Sequence, residues 1–442
     1  MKRLMTFLLV VVLLFSLTAC GTPVAEQPTE ASNVTESPDV TTEPAEPTDA
    51  VEEPLAGKIN IWSSGEELGR FVDGFNAIYP DITVEITVVP NSDFIAKLTP
   101  TLSSGQDAPD LFTGESDYVK YLVDSPFWDD LSNYGVDTYT SDIWDYLLSV
   151  GTDDAGVIKA LSWQASPGSI MYRRDIAKQV FGADDPGEIS ELLSSNDKMM
   201  EAAATLKENG IKMFASWQDI MNMQFSNRST AWVQDEKLFI DDSMLNFMDM
   251  AKNIYENGYD LNADPWSGEW FGAVEGEDTF CYVLPTWGYQ YVVKPSAVNT
   301  MGQWALAEGP VPYVKGGTWL GIYKDSENKE LAWKFLEYVT CNTEAQQDYG
   351  MEYGEFVSLK SADKALAEGE GEEVLGGQNL YAFFNDQMSK IPNDLMSAYD
   401  GQINNAFLSA TKAYVTGALT KDEAIQTFKD DVVTAYPDIT ID

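Results

Sequence analysis

Residues 58–88 read KINIWSSGEELGRFVDGFNAIYPDITVEITV, and this stretch decides the fold class. Lys58-Ile59-Asn60-Ile61-Trp62 alternates apolar and polar side chains, the period of a strand. Ser64-Gly65-Glu66-Glu67 has the Ser-x-x-Glu spacing of a capping box. Leu68, Phe71, Val72, Phe75, Ile78 and Tyr79 then recur at helical spacing until Pro80-Asp81 breaks the run. Ile82, Val84, Ile86 and Val88 alternate as a second strand. Working outward, the pattern predicts a helix over 92–102 and a short third strand over 108–112. Strand, helix, strand, helix, strand implies a parallel, doubly wound sheet, so the chain is of the α/β class. Ligands at such sheets sit beyond the carboxyl ends of the strands. Ser63, Ser64, Glu66, Thr113 and Glu115 therefore fall at a candidate mouth.

The stretch sits inside 442 residues, which suits two or three domains. Lys plus Arg is 27 against 71 Asp plus Glu, a formal net charge of −44. Such a chain is repelled by phosphate backbones, which excludes nucleic acid as a partner. Histidine is absent, and with it every Ser-His-Asp or Cys-His nucleophile and every His-ligated zinc or haem site. The three cysteines, Cys20, Cys281 and Cys341, form no CxxC pair and are too few for a disulfide framework. No cofactor or metal is expected. What remains is carboxylate chemistry, chemistry with a bound ion, or binding without chemistry.

Ahead of the domain, residues 1–20 read MKRLMTFLLVVVLLFSLTAC. Two basic residues, an apolar run from Leu8 to Phe15 and small residues before Cys20 make the layout of a signal peptide, too short for a bilayer span. Leu17-Thr18-Ala19-Cys20 resembles a bacterial lipobox, which implies lipid on Cys20 and attachment to the outer face of the cell membrane. Residues 21–56 hold six prolines and nine acidic residues, with no Lys, Arg or aromatic ring. That composition cannot bury enough apolar surface to offset chain entropy, and predicts a charge-extended tether.

Downstream, helical periodicity covers 172–181, 196–209 and 243–257. Aromatic residues crowd the intervening loops: Trp217, Trp232, Trp266, Trp270, Trp287 and Tyr289. Residues 316–322 (GGTWLGI) read as a strand, and 328–340 as an amphipathic helix with Leu331, Ala332, Phe335, Leu336 and Val339 on one face. Thr420-Lys421-Asp422-Glu423 is a second capping box, opening a helix to about Tyr436.

Six segments in order resemble the bacterial extracellular solute-binding proteins of family 1, the carbohydrate-type receptors of ABC importers. They are the opening stretch, KLTPTLSSGQDAPDLF, ALSWQASPGSIMYRRDIAKQVFG, GEDTFCYVLPTWGY, NKELAWKFLEYVT and TGALTKDEAIQTFKDDV. The chain departs at Tyr172-Arg173-Arg174-Asp175-Ile176, where the family shows "YNKDL", and in a Gly- and Glu-rich insert at 367–377. The resemblance implies a two-lobed periplasmic-binding-protein-like fold, each lobe a doubly wound sheet flanked by helices and joined by hinge crossings. Lobe one is expected at 57–165 with 315–370, and lobe two at 166–314 with 371–442. The partners implied are a small-molecule ligand, ABC permease subunits, and the membrane through Cys20, with the receptor acting as a monomer.

A sugar offers hydroxyls on its rim and C–H on its faces, so its site needs flat aromatic platforms with carboxylates and amides around them. Trp287, in Pro285-Thr286-Trp287-Gly288-Tyr289, aligns with the family's stacking residue, and Glu115 with a position where relatives place a sugar-binding acid. Ser64, Glu66, Gln164, Trp217, Trp266, Trp270, Tyr289, Trp319 and Tyr399 complete the candidate set, with Tyr353 and Phe356 as weaker members. Each has a plainer alternative. Ser64 could be a helix N-cap and Glu66 a helix-dipole charge. Gln164 could hold backbone, and any tryptophan could be core. Trp62, Trp304 and Trp333 sit in regular patterns and are expected in the core.

Asp153-Asp154 and 325–328 lack the spacing of a calcium loop and read as solvated turns. Cys281 and Cys341 read as small buried hydrophobes, with a disulfide left open. Two other functions stay on the table. A secreted glycoside hydrolase could use Glu269, Glu275 or Glu277 near Trp266 and Trp270 as paired carboxylates. A receptor for a polyamine would also draw on acids and aromatics.

Overall fold

The computed structural model describes residues 55–391 and 395–441. The expected leader, the lipidation site at Cys20 and nearly all of the tether lie outside them. Among the described residues eleven strands form the sheets: β1 (Gly57–Ser63), β2 (Ile82–Val88), β3 (Leu111–Glu115), β4 (Leu161–Ser162), β5 (Gly168–Arg173), β6 (Lys212–Phe214), β7 (Val233–Gln234), β8 (Lys237–Leu238), β9 (Thr279–Pro285), β10 (Trp304–Ala307) and β11 (Thr318–Ile322).

The first sheet has the order β2-β1-β3-β11-β4. β1 lies parallel to both β2 and β3, and β11 runs antiparallel between β3 and β4. The opening stretch thus forms the parallel half of a doubly wound sheet, and a late strand closes it. The second sheet, β10-β5-β9-β6, is mixed: only β6 and β9 are parallel. β5 and β9 are buried along their whole length. Successive side chains on a strand point to opposite faces. Met171, Tyr282 and Leu284 accordingly join one core, which continues from around the first sheet, while Ile170, Tyr172, Cys281 and Val283 join a second core.

The helix Lys329–Cys341 covers the first sheet because Leu331, Ala332, Phe335, Leu336 and Val339 recur on one face and are buried. Fully burying each of the larger apolar side chains stabilises by roughly 1.5–3 kcal/mol. The second capping box forms as expected at Lys421–Ala435: Thr420 Oγ1 accepts from Glu423 N, and the Glu423 carboxylate accepts from Thr420 N. The first does not form. Residues Glu67–Phe71 make a 3-10 turn running into Val72–Ile78, with Glu66 at the N-cap position and no side-chain cap bond. The Ser64 hydroxyl is committed elsewhere.

The third strand begins three residues later than the alternation suggested, at Leu111, because Asp110 spends its carboxylate on Asn60 N, Ser326 and Asn328. β11 starts at Thr318, since Gly316 and Gly317 have φ of +105° and +98°. Two runs link the sheets, 163–167 and 308–317, and they lie side by side. Gly168 N donates to Tyr313 O at 2.7 Å and Lys315 N to Ser166 O at 3.0 Å. The helix Leu380–Met388 packs on Lys360–Leu366 at the first-sheet side, with Asn385 Nδ2 donating to Asp363 O at 3.1 Å. The preceding insert instead runs along β10, where Trp304 N donates to Val374 O. None of the described helices is long and apolar enough to cross a membrane.

Candidate functional site

β1, β3 and β11 bring a polar network together at the carboxyl ends of β1 and β3. The Ser64 hydroxyl donates to the Glu115 carboxylate, and Thr318 Oγ1 donates to the same oxygen at 3.1 Å. Gln164 Nε2 donates to Thr318 Oγ1 at 3.2 Å, and Ser64 N to Thr113 Oγ1 at 3.2 Å. Register explains the meeting, since Thr318 is the strand partner of Glu115. Burial pushes the Glu115 carboxyl up, and the two hydroxyl donors oppose that shift. Hydroxyls that donate to a carboxylate leave it oriented, with lone pairs to spare for a ligand hydroxyl.

Trp287 opens the helical turn after β9 and is half-buried. Its indole N–H donates to Lys315 O at 2.9 Å. A Cβ on Gly316 would lie 2.9 Å from Trp287 Nε1, so glycine is required where the crossing run passes under the ring. Trp266 stacks on Trp287 with centroids 5.5 Å apart and planes at 21°. Trp266 is 57 % exposed, the most exposed aromatic ring among the described residues, and its φ is +68°. A bulky residue at positive φ is a genuine outlier that costs of order 1–3 kcal/mol. Here the strain holds an indole face open to solvent beside Trp287.

The other expected residues separate into two groups. Glu66 is exposed beside the network. Trp217, Trp270, Trp319 and Tyr289 are core residues, at most 2 % exposed. Trp270 Nε1 donates to Asp219 at 2.9 Å, Trp319 Nε1 to Leu147 O at 3.0 Å, and the Tyr289 hydroxyl to Glu372 at 2.8 Å. The side-chain polar atoms of Trp270, Trp319 and Tyr289 are already paired, and all four residues support the walls rather than present a face. Tyr399 packs edge-on against Tyr436, 5.0 Å away. Phe356 is buried, and Tyr353 lies under the Arg70 guanidinium at 4.2 Å. Trp304 and Trp333 are in the core as expected, and Trp62 is partly buried.

Sequence reasoning missed the polar residues that bridge the two sides. Tyr291, on the segment that follows Trp287, donates its hydroxyl to Glu355 at 2.7 Å and accepts from Arg70 at 3.5 Å. An open recess of about 100 Å3 lies next to the crossing run, lined by Asp117, Lys315, Asn222, Arg228, Asp400 and Asn404 among others. Its charges are paired: Lys315 with Asp117 at 2.5 Å and Arg228 with Asp400 at 2.9 Å. No spacing in the sequence joins Arg228 to Asp400 or Tyr291 to Glu355.

Glu275, an acid weighed for hydrolysis, accepts from Asn299 N and Nδ2 and is held as a turn cap. Glu269 and Glu277 are exposed. Cys281 and Cys341 are free and buried. Asp153 accepts from Ala155 N and Val157 N in a turn. No group of three or more Cys, Asp or Glu among the described residues could hold a metal ion.

A sequence profile of the bacterial extracellular solute-binding proteins matches residues 62–346. Among solved structures, a crystal structure of an extracellular solute-binding protein of family 1 aligns with a TM-score of 0.76 at 19 % identity, covering 86 % of this chain and 99 % of that one. The galacto-N-biose/lacto-N-biose I-binding protein of the ABC transporter from Bifidobacterium longum, in complex with lacto-N-biose, aligns with a TM-score of 0.71 at 17 % identity, over 88 % of this chain and 99 % of its own. An ABC-transporter-associated binding protein from B. animalis subsp. lactis, in complex with β-1,6-galactobiose, aligns at 0.69 and 17 % identity, over 88 % and 100 %. The comparison with curated protein sequences returned no match.

Proposed function

The chain belongs to the bacterial extracellular solute-binding proteins, two-lobed receptors that work outside the cytoplasm for ABC transporters and bind without catalysis, and on that footing we propose that it captures a neutral oligosaccharide between its lobes. The observation that carries the reading is the strained, exposed Trp266 stacked on Trp287. An aromatic face suits the C–H face of a sugar ring. The Ser64–Glu115–Thr318–Gln164 network supplies oriented acceptors and donors for its hydroxyls. The paired charges of the recess leave no net charge to favour an ionic ligand. The names of the structural neighbours, which include binding proteins for lacto-N-biose and β-1,6-galactobiose, support a sugar.

Lobe one is proposed as 57–165 with 315–370 and the helix Leu380–Met388 that packs on it, lobe two as 166–314 with the remainder of 371–442, and lipid on Cys20 as the tie to the membrane. A ligand shifts a two-lobed receptor toward closure only by interacting better with the closed form. The test is a thermal-shift screen of residues 57–442 against neutral oligosaccharides, uronic-acid oligomers and polyamines, because a ligand that binds the folded state raises the melting temperature. Neutral oligosaccharides should give the largest shifts and should be recovered intact by chromatography. A shift only with polyamines or acidic sugars, or recovery of shortened sugars, would overturn the reading.

A further inference from the structure

Tyr291 and its two partners come from opposite sides of the receptor. Arg70 lies on the turn after β1, and Glu355 follows the helix Thr343–Tyr353, whose Gln346 holds the Ser358 backbone on the first-sheet side. Tyr291 belongs to the helical segment after β9 of the second sheet, one turn beyond Trp287. Although 39 % exposed, Tyr291 donates to a carboxylate that is only 3 % exposed, and accepts from Arg70. The Arg70 guanidinium is fixed in turn by the Tyr353 ring at 4.2 Å. Beside it, a Cβ on Gly354 would meet Gln290 Oε1 at 2.5 Å, so the neighbour of Tyr291 is also pressed against the other side.

We propose that Tyr291 is a positioning residue whose contact with Glu355 and Arg70 latches the lobes and sets how much of the receptor is closed before any ligand arrives. This rests on the two-lobed fold and not on the identity of the ligand. Where the lobes part at this contact, Glu355 and Arg70 meet water, so the contact contributes only to the form in which the lobes meet here. A population shifts only through such differential contacts. A hydrogen bond to a charged group is equivalent to about tenfold or more in an equilibrium constant. Removing the Tyr291 hydroxyl therefore lowers the closed-to-open ratio about tenfold and leaves each lobe's packing intact.

Small-angle X-ray scattering on the ligand-free domain, residues 57–442, tests this with three proteins: wild type, Tyr291→Phe, and Glu355→Gln, which keeps a carbonyl acceptor for the tyrosine. Tyr291→Phe should increase the radius of gyration, Glu355→Gln should do so less, and both should keep the wild-type circular dichroism. Equal radii for wild type and Tyr291→Phe would overturn the latch, whether the shared value fits an open or a closed receptor. A larger radius with lost circular dichroism would also overturn it, because Tyr291 would then be supporting the fold of one lobe. Since no sugar is added, a failed sugar screen leaves this result standing on its own.

Discussion

The indole N–H of Trp270 donates to the carboxylate of Asp219 at 2.9 Å, and both side chains are buried beside the exposed Trp266. Burial pushes the Asp219 carboxyl up to about 8, against the Trp270 hydrogen bond, which lowers it, while Asp260 raises it further. The native state therefore holds a proton that the unfolded chain loses near pH 4. Between about pH 4 and pH 8 the unfolded state binds fewer protons, so this group's contribution to stability falls as pH rises, by up to about 1.4 kcal/mol per unit. Asp219→Asn should flatten that slope. Thermal unfolding of both proteins from pH 4 to pH 8 checks it, and parallel curves would refute the assignment.

The aromatic pair should carry binding. A stacked aromatic contact is worth ~0.5–1.5 kcal/mol beyond its buried area, and a hydrogen bond to a charged group ~1.5–3 kcal/mol. Trp287→Ala and Glu115→Gln should each weaken binding of the best sugar about tenfold or more, and Trp266→Ala somewhat less. Calorimetric titration reads the affinity, with melting temperature measured alongside. Trp266→Gly should also relieve backbone strain, so a raised melting temperature with lost affinity is the expected signature.

Gly316 should resist substitution. Its φ of +105° disfavours any side chain, and a Cβ would press on the Trp287 indole at 2.9 Å. Gly316→Ala should break the Trp287 bond to Lys315 O and lower both stability and affinity. The ligand-free tryptophan fluorescence spectrum should shift at the same time. Wild-type affinity in Gly316→Ala would show that Trp287 need not be held there.

The terminal capping box offers a control far from the cleft. Thr420→Ala should destabilise by about 1 kcal/mol, typical of a lost N-cap, with no change in sugar affinity. Denaturant unfolding measures the first and titration the second.

Cys20→Ala should release the protein into the medium or leave the leader unprocessed. Cell fractionation and mass spectrometry of the mature N-terminus decide it, and retention on the membrane with normal processing would rule out lipid on this residue.

Most regular elements were legible because each rests on local periodicity. The strands of the opening stretch, the helix Lys329–Cys341 and the Thr420 cap need only near neighbours in sequence to be read. The capping box at Ser64 does not form, for an instructive reason. The spacing of Ser64 to Glu67 fits a cap, but β1 and β3 place Glu115 within reach, and the side chain that donates to that carboxylate makes no cap bond to the helix. The tryptophans show the same limit. Trp266 and Trp270 stand four residues apart, just before and within the short helix Gly268–Gly272, yet one is 57 % exposed and the other 1 %.

By itself the sequence determined the class of the protein: α/β lobes, no histidine chemistry, a strongly acidic surface and an ordered set of family segments. These follow from composition and short-range pattern, which folding does not alter. Only the tertiary structure decided which side chains meet. Arg174 and the insert at 367–377 are the two departures from the family pattern, about two hundred residues apart, and they touch: Arg174 Nη2 donates to Leu375 O at 3.4 Å and Arg174 Nε to Trp304 O at 3.2 Å. Tyr291 reaches Glu355, and Arg228 reaches Asp400, in the same way. Such pairs depend on strand order and crossings, which are set by the burial of whole faces rather than by any local spacing, so no single stretch of sequence displays them.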